Sequence, residues 1–565
     1  MWGYNVTIPT SWVAAAAGLL LACGGDSTGP LSTSSLALNC AGTGPTQLAP
    51  GAHVVLDPAP TQGCLVLPAA GPAGAEHLVV ALSTTGQVTQ AGVSAPYGLE
   101  ARSAGGVSAA LAALPQASGR AAILSPAAQF HQMLRERGRA LAAGSFIQRA
   151  SAPLALAAAA APPLGSQRSF QICGNQDCTS FTTVTAGLQY AGAHGLVYLD
   201  TAAPANGYTQ SDLNRLGTLF NNFVYPIDTT SFGRETDLDG NGAVIVLLSP
   251  AVNRLSGNCN ATQAVILGFF FPDDLVPGSP GSNDGEIFYG LVPDPANPQC
   301  TISRSFVLTA IGPTFLHEFQ HMISYGRHVV LGHGAAEDNW LDEGLSRLAE
   351  ELGGREIPDS VCAPLTCMSQ YPAGDLSNAF QYLNKATLEA SPLIEPGDVD
   401  GTLAENGANW LFVRWLADHF ATDTILGTGL TRALDGADSP TGAALTGSIN
   451  AASTTGVDFP TLVSEWQMAN YLTAVAGFTE PTARLRFRSW DLPAAFAKQG
   501  SYPLQPDTMT TTVYAHSGTI RAGSGRHLRV IQAPNGPAVT ISFSDATGAV
   551  VTPTVVPRFG VARVR

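Results

Sequence analysis

His317-Glu318-Phe319-Gln320-His321 is the stretch of this chain whose residue types and spacing carry chemistry. On a helix, positions i and i+4 stand one above the other on one face, so two imidazoles can grip one divalent ion. Zinc favours neutral imidazole nitrogens, at about 2.0–2.1 Å. Glu318, beside the first ligand, is then placed to take a proton from a water on that ion. The chemistry is hydrolysis: a polarised carbonyl, a water whose pKa falls to about 7, and a glutamate that passes the proton to the leaving amine. A tetrahedral oxyanion needs a further donor, for which Tyr382, His419, Tyr371 and His333 are candidates.

Two helices must position this set. The pattern predicts one over Phe306–Tyr325, with Pro313 in a first turn, core bulk from Phe315, Leu316, Phe319, Met322 and Ile323, and an end at Gly326. Leu341, Leu345, Leu348 and Leu352 form the stripe of a second, over Trp340–Leu352. Glu343 lies off that stripe near the N-terminal end, where a carboxylate is favoured by the helix dipole. Two histidines and a glutamate leave a fourth position for water, as a catalytic zinc requires. Asp342, Glu350, His328 and His333 compete with Glu343 for the role of third ligand.

The run H-E-F-Q-H-M-I, followed some twenty residues later by W-L-D-E-G-L-S-R-L-A-E, resembles the gluzincin peptidases, and within them the bacterial hyicolysin-type neutral metallopeptidases. The likeness extends upstream through Phe232-Gly233, Asp237–Gly242 and Ser282–Tyr289, covering about 170–500. It implies His317, His321 and Glu343 as zinc ligands and Glu318 as base. Thermolysin-like gluzincins carry an acidic residue four positions after the third ligand to orient a histidine. Arg347 stands there instead, leaving Asp342 or Glu350 to orient the rings.

Asp237, Asp239 and Asn241 copy the first half of an EF-hand loop, with Gly242 at its sixth position. Position 12 is Leu248, where a bidentate glutamate belongs. The segment is either a calcium site completed from elsewhere or an Asx-rich turn into a strand at Val244; the turn is favoured.

Fold class is α+β: a zincin-like catalytic domain at 166–500, with a mixed sheet followed by helices, flanked by small all-β modules at 36–105 and 505–565. Strands are expected at Val184–Tyr190, Gly195–Asp200 and Val244–Leu248, and helices at Ser211–Phe223, Gly407–Phe420 and Phe459–Leu472. Residues 106–165 read as an Ala-rich linker with one helix, Ala127–Ala143, whose Arg135, Arg137 and Arg139 form either a solvated face, the favoured reading, or a surface that touches a membrane or a prosegment.

Val13–Ala22 is a short apolar run of signal-peptide length, ending in Leu20-Leu21-Ala22-Cys23. This resembles a bacterial lipobox, and implies a signal peptide over 1–22, a lipid on Cys23 and a Gly/Ser/Thr-rich tether over 23–35. No Lys or Arg precedes the run; the other reading is an uncleaved apolar segment. The remaining eight cysteines fall into near neighbours, Cys40–Cys64, Cys173–Cys178, Cys259–Cys300 and Cys362–Cys367, as an oxidising compartment produces. The expected location is therefore outside the cytoplasm, anchored to the bacterial envelope or secreted.

With 27 Lys+Arg against 42 Asp+Glu and a net charge of −15, the chain has no basic stripe for nucleic acid. Expected partners are a protein or peptide substrate and, through the lipid, a membrane; oligomeric state is open. A rival of another class is a surface adhesin or binding lipoprotein on an inactive peptidase scaffold. A third, a zinc hydrolase of small substrates, lacks the G-x-M-E-N type of motif that would hold a free amine.

Overall fold

The computed structural model describes residues 38–104, 125–144, 161–262, 264–384, 391–395, 403–423, 425–480 and 484–565. The expected signal peptide, Cys23, the tether and most of the expected linker lie outside them.

A mixed sheet carries the site. Its order is β5-β6-β7-β8-β10-β9: β5 Gln167–Cys173, β6 Phe181–Ala191, β7 Gly195–Asp200, β8 Val244–Leu248, β9 Gly268–Phe270 and β10 Ile287–Gly290. β8 reads Val-Ile-Val-Leu-Leu, is buried throughout, and runs parallel to both β7 and β10, the place where a β-branched, wholly apolar strand fits. β9 closes the edge, antiparallel to β10.

The helices that matter are α1 Pro126–Ala143, α2 Gln210–Leu219, α3 Tyr225–Phe232, α4 Arg304–Tyr325, α5 Asn339–Glu356, α6 Ala373–Leu383, α7 Leu403–Phe420 and α8 Phe459–Leu472. Helix α4 starts two residues earlier than the pattern suggests, because Ser303 caps it by accepting from Phe306 N at 3.2 Å. Pro313 is therefore inside the helix and not in its first turn, so one backbone bond is forgone there. Gly326 does not end the helix in a left-handed turn either; its φ is −58°, and the chain runs on through a wider turn closed by Gly332 N on the Arg327 carbonyl, 3.0 Å.

Helix α4 packs on α5, α5 on α7, and α7 on α6. Gly344 makes the α5–α7 approach possible: a Cβ there would stand 2.5 Å from Val413 Cγ2 and 2.8 Å from the Asn409 carbonyl oxygen. Glu351, fully buried on the same helix, accepts from Trp410 Nε1 at 3.0 Å and Trp490 Nε1 at 2.9 Å, and pairs with Arg355 at 2.7 Å. The carboxylate ties α5 to α7 and to the segment after α8. Among the described residues no helix is long and apolar enough to cross a membrane.

The two flanking β-modules are a single sandwich, which corrects the expected division. One sheet has the order β1-β15-β3-β13-β11 and the other β12-β4-β14-β2. Here β1 is His53–Leu56, β2 Cys64–Leu67, β3 Ala75–Ser83 and β4 Ser94–Ser103; β11 is Asp507–Met509, β12 Val513–Arg521, β13 Gly525–Gln532, β14 Val539–Ser544 and β15 Pro557–Arg563. Each end supplies strands whose edges the other covers, which removes open edges neither could pair alone. The sandwich has its own core, including Tyr97, Leu99, Ile541 and Phe543. It rests on α8, where His527 Nε2 meets the Gln467 carbonyl at 2.7 Å and His53 Nε2 meets Glu465 Oε1 at 3.1 Å. All four expected disulfides are present.

Candidate metal centre

Helices α4 and α5 bring three ligand-type side chains to one point. His317 Nε2 and His321 Nε2 are 3.1 Å apart. Glu343 Oε2 lies 3.7 Å from His317 Nε2, and Glu343 Oε1 lies 3.6 Å from His321 Nε2. Two lone-pair nitrogens and a carboxylate facing each other this closely are a donor set that a divalent ion satisfies.

Glu350 hydrogen-bonds one ring from behind, and Asp342 stands behind the other in ion-pair contact without hydrogen-bond alignment. Glu350 Oε1 sits 2.8 Å from His317 Nδ1, and Asp342 Oδ2 sits 2.9 Å from His321 Nδ1. Arg347, in the position where thermolysin-like enzymes carry an acid, reaches back to Glu343 Oε2 at 3.5 Å and across to the buried Asp375 at 3.3 Å. Burial lowers the pKa of both histidines, keeping the imidazoles neutral and their nitrogens available. Burial also opposes ionisation of Glu343, yet the guanidiniums of Arg135 and Arg347 beside it hold its carboxyl below the ordinary value. Burial lifts Asp342 to about 6 and Glu350 to about 7.

Glu318 is 2% exposed. Its Oε2 accepts from Phe270 N, on edge strand β9, at 3.1 Å. Burial raises its pKa, with His317 and Arg135 opposing.

Helix α1 packs directly against the site. Arg135, 9% exposed, places Nε 3.5 Å from Glu343 Oε1 and 3.8 Å from Asp342 Oδ2, with Nη2 4.0 Å from Glu318 Oε2. His131 Nδ1 lies 3.6 Å from Glu318 Oε1. Phe130 stacks edge-on against Phe269 with centroids 5.0 Å apart, and Leu134 is buried beside it. Arg137 Nη2 donates to Asp273 at 2.8 Å, and Arg139 Nη1 to Asn339 at 2.9 Å. The solvated face expected of these three arginines is thus a contact face. Phe130 and Leu134 four residues apart, with His131 and Arg135 four apart beside them, were the available signal, but nothing local says which surface such a helix covers.

Of the four oxyanion candidates, Tyr382 and His419 do not join the cluster in the contacts they make. Tyr382 is buried, accepts from Gln467 Nε2 at 2.9 Å and stacks on Trp466. His419 Nε2 meets the Arg486 carbonyl at 2.8 Å. Their helices α6 and α7 turn these residues toward α8 and the segment after it, where each polar atom finds a local partner. His328 is buried 3.6 Å from both Glu337 and Asp435, His333 is exposed, and Tyr371 packs against Gly312 and Gly353.

The carboxylates of Asp237 and Asp239 come together with that of Glu286, whereas Asn241 spends its side chain on Asp239 Oδ2 (2.7 Å) and Ala243 N (2.6 Å).

No family model matches the chain. Over 256 residues it is 25% identical to the neutral metalloprotease ShpI of Staphylococcus hyicus, a stretch that is 43% of this chain. The chain spans about half, 51%, of that relative's length. Among solved structures, the M1 zinc metallopeptidase of Deinococcus radiodurans aligns with a TM-score of 0.27 at 13% identity, over 56% of this chain and 52% of the other. A two-domain M1 zinc metallopeptidase variant bound to L-tryptophan aligns with a TM-score of 0.26, with the same identity and coverage. Superpositions this partial leave the fold to be argued from the chain itself.

Proposed function

We propose that this chain is a zinc-dependent endopeptidase of the gluzincin type, similar to the hyicolysin-type enzymes, with residues 166–500 as its catalytic unit. One observation carries the reading: the Nε2 atoms of His317 and His321 face each other at 3.1 Å, with the Glu343 carboxylate 3.6–3.7 Å from each and Glu318 adjoining. The resemblance to a neutral metalloprotease over 256 residues supports it.

His317, His321 and Glu343 would hold the zinc ion, which would supply Lewis-acid chemistry toward a peptide carbonyl and a water. The chain's own residues do the rest. Glu350 and Asp342 hold each ring so that Nε2 points inward. Glu318, its pKa raised by burial, receives the proton of the attacking water and returns it to the leaving amine. The Phe270 N–H fixes one oxygen of that carboxylate, leaving the other to the reaction.

Helix α1 sets His131 and Arg135 against Glu318 and Glu343, so this conformation is read as a latent one. The same contact favours the second reading, a binding lipoprotein on an inactive scaffold, in which α1 never leaves. The four disulfides support an exported protein; a lipid on Cys23 is part of the proposal. The deciding experiment measures bound zinc and casein cleavage in the purified ectodomain beside Glu318→Gln. Zinc with cleavage, lost in the variant, is the expected result; zinc-loaded wild type that cleaves nothing even without α1 sinks the enzyme.

A further inference from the structure

The loop Asp237–Gly242 closes on itself: Asp237 Oδ1 accepts from Gly242 N at 2.9 Å and Asp239 Oδ1 from Asn241 N at 3.1 Å. Those bonds account for a turn. They do not account for Glu286, which comes from a part of the chain more than forty residues away.

Glu286 immediately precedes β10, and its carbonyl accepts from Ile245 N of β8 at 2.8 Å. Its side chain turns to the loop, where Oε1 accepts from Leu238 N at 2.9 Å and Thr236 Oγ1 at 2.5 Å. Oε2 is buried without a hydrogen-bond partner, on a residue 1% exposed. Carboxylate oxygens of Asp237, Asp239 and Glu286 lie within 4.8 Å of one another. A buried oxygen left unsatisfied beside other carboxylates is costly unless a cation joins them. The strain registers on Glu286, whose pKa burial lifts to about 7, with Asp239 and Glu235 adding to it. Arg168 offers a positive charge 4.0 Å from Asp239 Oδ2, from a side chain about a third exposed.

We propose that Asp237, Asp239 and Glu286 form a binding site for a hard divalent cation, with calcium as the preferred ion. All three donors are oxygen, the ligand type that calcium takes and zinc does not favour. An EF-hand draws its bidentate glutamate from the twelfth position of the same loop; here that place is Leu248, in the buried strand β8. The neighbouring parallel strand provides the carboxylate instead. Bound calcium would tie the loop before β8 to the start of β10. It would do so beneath the metal-site helix, since Thr236, which donates to Glu286, lies against Gly326 at the end of α4. The site is independent of the zinc reading and stands if that reading fails.

The test uses the full ectodomain, stripped with EGTA and with zinc held constant. Melting temperature is followed against CaCl2 and MgCl2, with calcium binding measured by calorimetry. Wild type is expected to bind with a Kd of about 10⁻⁴–10⁻³ M, as extracellular calcium modules do. It should gain about 1–2 °C at ten times Kd, with little response to magnesium. Glu286→Gln should lose the calcium response and, in EGTA, melt no lower than wild type, because it removes a buried charge. Asp239→Asn, at a more exposed position, should weaken binding at least tenfold and serves if Glu286→Gln does not fold. No calcium response in wild type, or an equal one in either variant, overturns the site.

Discussion

His317 Nδ1 stands 2.8 Å from Glu350 Oε1, while the other nitrogen of the same ring faces Glu343, seven residues earlier on the same helix. Two turns of α5 therefore clasp the ring from both sides: one carboxylate joins it at the metal position and the other fixes its tautomer. On the proposed function, this makes Glu350 a positioning residue whose share in metal affinity can be measured.

Replacing Glu350 with Gln, or Asp342 with Asn, should weaken zinc binding by about 10–100-fold each, the usual cost of losing the partner behind a ligating histidine. Competition against a chromophoric chelator reads this directly. Unchanged affinity in both would mean that the rings are held by packing alone.

For Glu318→Gln the expected result is a split: zinc stoichiometry preserved and kcat reduced by about 10²–10⁴, the range for a general base. Metal analysis and a quenched-fluorescence peptide assay check the two halves separately. Loss of zinc together with rate would assign Glu318 a structural part.

Helix α1 should act as a brake. Truncating its buried anchor, Phe130→Ala, removes about 3–5 kcal/mol of packing and shifts the docked population toward open. Peptide hydrolysis should rise, and a synthetic peptide spanning 126–143 should restore inhibition. Arg135→Ala should act in the same direction. A rate unmoved by either change would place α1 off the substrate path.

Asp274 gives a pH signature. Burial lifts its carboxyl to about 8, with Asp273 adding to the rise while Tyr289 O–H (2.6 Å) and Asn283 N (2.6 Å) donate to it. The folded state thus keeps a proton that the unfolded chain releases near pH 4. Its contribution is full below about pH 4 and falls as pH rises toward 8, by about 1.4 kcal/mol per pH unit. Denaturant midpoints of Asp274→Asn should show a flatter slope over that window; an unchanged slope would mean that Asp274 ionises normally.

Much of the candidate site was legible because its signals are local. The i, i+4 histidines, the leucine stripe that leaves Glu343 aside, and closely spaced cysteines all declare themselves within one or two turns of chain. Asp342 and Glu350 were named for the rings, but only the helix crossing shows that each takes one histidine. Tyr382 and His419 were misplaced because helix periodicity gives a face and not the neighbour it meets. The role of α1 and the joining of the terminal strands depend on contacts hundreds of residues apart, for which hydrophobic pattern carries no address. Glu286 escaped notice for the same reason: its partners lie across a strand pair.

Strand β15 lies between β1 and β3, in the interior of its sheet. A ribosome or translocase feeding this chain outward would deliver β1 and β3 some five hundred residues before the strand that must slot between them. Neither sheet can seal until nearly all of the polypeptide has emerged, so early strands must wait unpaired or be shielded. A truncated product ending before residue 557 should therefore be handled as an incomplete, aggregation-prone molecule even if helices α4 and α5 are intact.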